Sequence, residues 1–184
     1  MSIRDEVLKT DLQERYLETY EDYKKNILPK ALLSDKQWLD DIIEGRKEQE
    51  LILYQDKDFI LLISDKWTDT NIDHLRILSF FKNKKLKSIR DLTSANIKLL
   101  EKVKTKSCEV IKKKYNFTED QLKIFFHYRP SVWQLHLHFV NLNYKLRSSS
   151  VEKAFEYHGV IENLKLISDY YKKISIYTFK KDVE

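Results

Sequence analysis

Residues 127–140 read HYRPSVWQLHLHFV, and the run Gln134-Leu135-His136-Leu137-His138-Phe139 inside it alternates polar and apolar. A strand sends successive side chains to opposite faces. Leu135, Leu137 and Phe139 are therefore expected in the core, while Gln134, His136 and His138 share the other face. Two imidazoles and an amide in a row need partners or a task, because a buried unpaired polar group is costly. The plain alternative is a pair of solvated histidines on an edge strand. The polar residues ahead of the strand, His-Tyr-Arg-Pro-Ser, can bring His127 and Ser131 to the same face.

Working outward, residues 122–128 predict a neighbouring strand. Upstream, the β-rich runs 51–54 and 59–63, joined by Gln55-Asp56-Lys57-Asp58, carry a hairpin signal. The segment 72–81 is expected to end as a strand. Leu92-Thr93-Ser94 opens a long helix to about Tyr115, with Ile97, Leu100, Val103, Cys108, Val110 and Ile111 on its apolar side. A helix is expected over 6–27, where Leu12, Tyr16, Tyr20 and Tyr23 recur at spacings of three and four. Another starts at Ser34, with Leu39, Ile42 and Ile43 as its stripe and Trp38 beside it. Helices over 151–164 and near 168–173 precede a last strand over 174–179. Strands that pair in sequence, with helices between, predict an α+β domain with a largely antiparallel sheet.

With 184 residues and 42% apolar content the chain can bury one sizeable core, most simply as a single domain over 1–184. Two glycines and two prolines write no flexible linker into it. No run approaches a membrane span, and the start, MSIRDEVLK, lacks a signal-peptide core. The single cysteine, Cys108, excludes an internal disulfide and fits a reducing compartment. No Cys/His cluster has zinc spacing. The net charge of +5 and pI of about 9.0 favour phosphate-bearing partners. The lysine clusters at 82–85 and 112–114 read as solvated faces or as a path for an RNA tail.

The alternating stretch resembles the signature of the histidine-triad superfamily. The longer run His-Tyr-x-Pro-Ser-x-x-x-Leu-His-Leu-His-Phe is similar to one branch, the scavenger mRNA decapping enzymes. Ile89-Arg90-Asp91-Leu92-Thr93, Ser150-Val151-Glu152-Lys153-Ala154 and Val160-Ile161-Glu162-Asn163-Leu164 extend the resemblance, which runs from about residue 8 to 180. It implies a histidine-triad fold, a mostly antiparallel sheet with flanking helices, and attack on a phosphoric anhydride. His136 would be the nucleophile, forming a covalent phosphoramidate. His138 would hold phosphate oxygens or help the leaving group, with His127, Ser131 and Lys153 meeting developing charge. Lys153 stands where the family usually has Arg, so charge is kept and the bidentate fork is lost. Trp38 and Glu48 reproduce the spacing of a base pocket for 7-methylguanine, a cationic ring that an aromatic face attracts. Lys66 matches a further substrate contact, whereas Ser64 falls where the family has Asp. Gln134 takes the first triad position, where an amide can bind substrate but cannot titrate near neutrality.

The resemblance thus implies a hydrolase that cleaves the triphosphate bridge of capped short RNA or cap dinucleotide and releases 7-methyl-GMP. No cofactor and no metal is expected. The expected partners are capped RNA fragments and a second copy of the chain, with neither membrane nor DNA involved. The expected localisation is cytoplasmic, with a nuclear pool also open. The family's larger members carry an N-terminal lid domain that swaps between protomers. This sequence begins about where that domain would end, and its initiating Met is expected to mark a naturally shortened form. Three alternatives stay open: a broader dinucleoside polyphosphate hydrolase, a nucleotide phosphoramidase, and a non-catalytic cap- or nucleotide-binding protein.

Overall fold

The strand that carries the alternating histidines lies inside a six-stranded sheet and is paired on both sides. The structure, a computed structural model, describes residues 14–33, 35–64, 67, 71–145 and 153–179. In chain order the strands are β1 (Arg15–Glu18), β2 (Ile52–Gln55), β3 (Phe59–Ile63), β4 (Arg76–Phe81), β5 (Leu122–His127), β6 (His136–Asn141), β7 (Ala154–Glu156) and β8 (Ile176–Phe179). The large sheet has the order β2-β3-β4-β6-β5-β7, and all of its pairs are antiparallel. β1 and β8 form a separate antiparallel pair.

The alternation in β6 sorts its two faces as expected. Leu135, Leu137 and Phe139 are buried with Leu61, Ile77, Ile124 and Phe126 in the main core. Helix α3 (Ile97–Tyr115) covers that face through Leu100, Val103 and Ile111. A buried hydroxyl pair, Ser79 to Ser107 at 2.7 Å, ties the sheet to this helix and satisfies both polar atoms. The helix starts where the sequence indicated: the Thr93 N–H donates to Asn96 Oδ1 at 2.9 Å just ahead of it.

On the opposite face helix α2 (Gln37–Ile43) seats Leu39 and Ile42 against Ile60, Leu62 and Phe80. Asp35 Oδ1 accepts from the Gln37 N–H at 2.8 Å, so the helix begins at Gln37. The expected start, Ser34, lies outside the described residues. Because α2 covers only the β2–β4 side, the face above β6 stays open as a cleft.

Two helix expectations are corrected. Within 6–27, residues Arg15–Glu18 form β1, and 6–13 lie outside the described residues. Helix α1 begins only at Tyr20 and comprises Tyr20–Asp22, a π-helical stretch Tyr23–Ile27 and Leu28–Leu33. Thr19 and Asp22 close a capping box that fixes this start. Pro29 has no N–H to donate, and the wider turn ahead of it meets this gap. Within 151–164, Ala154–Glu156 is strand β7 at the sheet edge. Helix α4 (Tyr157–Leu166) follows, capped by the Glu156 carboxylate accepting from His158 and Gly159 N–H; residues 151–152 lie outside the described residues. The short helix α5 (Tyr170–Lys173) leads into β8.

β1 owes its place to a buried ion cluster. The Glu18 carboxylate accepts from Arg90 Nη2 at 2.9 Å and from Arg129 Nε at 2.8 Å, and also from the Tyr128 hydroxyl. Arg90, itself fully buried, donates to the carbonyls of Tyr171 and Ile174, both at 2.7 Å. A buried carboxylate and two guanidiniums are tolerable only when paired with one another in this way. The cluster clamps the loop that joins β5 to β6.

Candidate active site

β4, β5 and β6 bring the site together. Register sets Phe80 beside His136 and Leu78 beside His138, while Phe125 faces His138 from the other side. The two β6 imidazoles, two residues apart on one face, have ring centroids 4.9 Å apart. His127, at the end of β5, reaches His138 at 4.1 Å. Stacking fixes the ring planes: Phe80 on His136 at 4.7 Å, and Phe125 on His138 at 5.0 Å with only 5° between planes. The donor nitrogens of His127, His136 and His138 all lie within 4.8 Å of one another, close enough to hold a metal ion.

His136 is the most buried of the three, and burial pulls its pKa down to about 4. The Gln134 carbonyl opposes that fall and the neighbouring His127 adds to it. His136 Nδ1 lies 2.8 Å from that carbonyl oxygen. A carbonyl can only accept, so Nδ1 carries the hydrogen and Nε2 keeps its lone pair. The ring is thus neutral at pH 7, in one tautomer, with its basic nitrogen turned to the cleft.

The cleft holds about 550 Å³. Of the residues expected to bind substrate, Trp38, Glu48, His127, Ser131 and Lys153 line it together with His136 and His138. Trp38 is 42% exposed and meets Phe80 edge-on at 5.7 Å, so it forms a rim and is not core. Glu48 adopts a left-handed backbone conformation at φ 50°. Lys153 places its Nζ over the Phe179 ring at 5.0 Å. Lys66 lies outside the described residues.

Gln134 is a correction. Its side-chain amide is buried, donating to the carbonyls of Phe81 at 2.6 Å and Asn83 at 3.0 Å. It does not line the cleft. β6 begins only at His136, so Gln134 lies two residues ahead of the strand whose alternation predicted its face. What position 134 offers the site is its main-chain carbonyl.

Two charged cleft residues escaped the sequence reading. Arg129 sits within the decisive stretch itself, where it reads only as part of a polar loop. Arg76 starts β4 and shares a strand face with Leu78 and Phe80.

A family model described as "Scavenger mRNA decapping enzyme C-term binding" matches residues 37–154, more than half of the chain. The chain belongs to the scavenger mRNA decapping enzyme family. It is 36% identical over 172 residues to the m7GpppX diphosphatase of Ascaris suum, covering 89% of this chain and 57% of that protein. To the m7GpppX diphosphatase of Caenorhabditis elegans it is 35% identical over 169 residues, covering 90% and 54%. To that of Homo sapiens it is 30% identical over 162 residues, covering 85% and 48%. The chain therefore spans about half the length of the curated relatives it matches. Among solved structures, "Hnt3 in complex with DNA and guanosine" superposes with a TM-score of 0.50 at 19% identity, covering 68% of this chain and 75% of that one. That likeness concerns the fold alone. For this member of the scavenger decapping family it places the six-stranded sheet with its flanking helices in the histidine-triad fold.

Proposed function

We propose that this chain hydrolyses the triphosphate bridge of 7-methylguanosine-capped short RNA or cap dinucleotide and releases 7-methyl-GMP. One observation carries the reading. The hydrogen bond from His136 Nδ1 to the Gln134 carbonyl leaves Nε2 as a neutral nucleophile in a cleft shared with His127 and His138. In the first step Nε2 attacks the phosphorus next to 7-methylguanosine. A P–N bond forms, the P–O bond to the rest of the bridge breaks, and the nucleotide diphosphate end leaves. The phosphorylated ring is cationic, and the carbonyl on its far nitrogen stabilises it. In the second step water attacks the same phosphorus, the P–N bond breaks, and the neutral ring returns. His138, His127, Ser131 and Lys153 surround the position where charge builds on the phosphoryl oxygens. Trp38 and Glu48 offer the base an aromatic face and a carboxylate.

The sequence relatives named m7GpppX diphosphatase support this reading over a general dinucleoside polyphosphate hydrolase. The retained imidazole pair supports an enzyme over a passive binding protein. The homodimer expected from the superfamily is part of the proposal, and light scattering across a dilution series reads it. The deciding experiment is product analysis with methylated and unmethylated cap dinucleotide, run with and without chelator, on wild type and His136→Ala. We expect 7-methyl-GMP from the wild type, with or without chelator, and none from the variant. Phosphate label on His136 that is acid-labile and base-stable supports the covalent step. Turnover by His136→Ala at more than a small fraction of the wild-type rate would refute it.

A further inference from the structure

β4 has one charged residue, Arg76, and it points the same way as Leu78 and Phe80. Those two stand beside His138 and His136. Arg76 therefore continues the row about 7 Å beyond Leu78, past His138 and at the end opposite Phe80 and His136. There the Ser64 N–H donates to the Arg76 carbonyl at 3.0 Å, and Glu48 lines the same cleft. The Arg76 side chain is half-buried. Three described arginines have carboxylates, Arg46 with Asp41 and Arg90 and Arg129 with Glu18, whereas Arg15 lies over the Tyr177 ring. Among the described residues no ion pair takes up Arg76. Its five donors and fixed positive charge are left for whatever enters the cleft.

The cleft that Glu48 and the neutral Ser64 line thus also holds a guanidinium at the Arg76 end of the β4 row, while Trp38 stands at the Phe80 end. A 7-methylguanine ring is cationic and has lost its N7 acceptor. An unmethylated guanine is neutral and presents N7 and O6 together, the edge an arginine fork meets with two hydrogen bonds. A guanidinium here repels the first base and suits the second.

We propose that Arg76 is a specificity-determining residue that weakens the preference for 7-methylguanine, so that unmethylated guanosine dinucleotides bridged by triphosphate are substrates too. The proposal rests on the decapping reading for the bond that is cleaved, and adds to it only which base is accepted. The test compares kcat/KM for m7GpppG and GpppG in wild type, Arg76→Lys and Arg76→Gln. Affinities for non-hydrolysable analogues of both are measured alongside by quenching of tryptophan fluorescence. Arg76→Gln is expected to raise the methylated-to-unmethylated ratio about three- to tenfold, the size of one like-charge contact in a partly wet cleft. Arg76→Lys keeps the charge without the fork and should fall between. An unchanged or lowered ratio in Arg76→Gln overturns the proposal, and so does an equal loss for both ligands, which would make Arg76 a phosphate contact. If the wild type hydrolyses neither dinucleotide, the decapping reading fails, and the two analogue affinities still decide the role of Arg76.

Discussion

The main-chain carbonyl of Gln134 lies 2.8 Å from His136 Nδ1, while the Gln134 side chain is turned to the carbonyls of Phe81 and Asn83. Backbone, not side chain, therefore sets the tautomer of His136. Gln134→His should change the rate less than tenfold, about 1.4 kcal/mol of barrier. An imidazole has too few donors to serve both carbonyls, so stability should fall by about 1 kcal/mol. Single-turnover rates and urea midpoints separate the two effects. A rate change of a hundredfold with unchanged stability would place the side chain in the chemistry.

His136 also links pH to folding. Burial holds its pKa at about 4, below the ordinary 6.5. As pH falls, the unfolded chain takes up this proton first. The stability that the neutral ring contributes is therefore complete above pH 6.5, is lost between 6.5 and 4, and loses no more below 4. The total is on the order of 3 kcal/mol. His136→Ala should flatten this part of the stability–pH curve. An NMR titration in which the His136 ring shows its midpoint near 6.5 would contradict the burial argument.

Glu18 offers a structural test. Its carboxylate is fully buried between Arg90 and Arg129. Glu18→Gln leaves two guanidiniums facing a neutral amide and should cost about 3–5 kcal/mol. Because Arg129 belongs to the loop between His127 and His136, activity should fall before the protein unfolds. Denaturant midpoints and kcat measured on the same preparation check this. A variant within 1 kcal/mol of wild type would mean that the cluster is dispensable.

Much of this was legible because periodicity reports burial. Leu135, Leu137 and Phe139 read as core and are core, since a central strand has no other way to hide alternate residues. The stripe of α3 was clear for the same reason. Residues 14–18 misled because Tyr16, Tyr20 and Tyr23 continue a helical spacing across the Thr19 cap, and the force that extends Arg15–Glu18 is a long-range one, the pull of Arg90 and Arg129 on Glu18. β7 was hidden likewise: three residues carry too little pattern, and their pairing with β5 lies far away in sequence. The histidine cluster was visible as neighbours on a strand. Arg76 was not, because its place in the cleft depends on the register between β4 and β6.

The part of the cleft proposed to take the base gives the last prediction. Trp38 and Glu48 both line it, 42% of Trp38 is exposed, and Glu48 holds a left-handed backbone conformation that favours glycine. For a residue with a side chain that conformation costs about 1–2 kcal/mol. A strained residue whose side chain lines a cleft points to a role in binding. Trp38→Ala and Glu48→Gln should each weaken binding of methylated cap more than of GpppG, with loss of base stacking worth roughly 1–3 kcal/mol. Glu48→Gly separates the roles of backbone and side chain. It relieves the strain, offset in part by the freer unfolded chain, so the protein should melt at the same temperature or higher. It should bind methylated cap as poorly as Glu48→Gln does. The two variants are compared by thermal melting and by titration with both dinucleotides. If Glu48→Gly melted well below wild type, the side chain would be holding the turn ahead of β2, and its place at the cleft would be incidental.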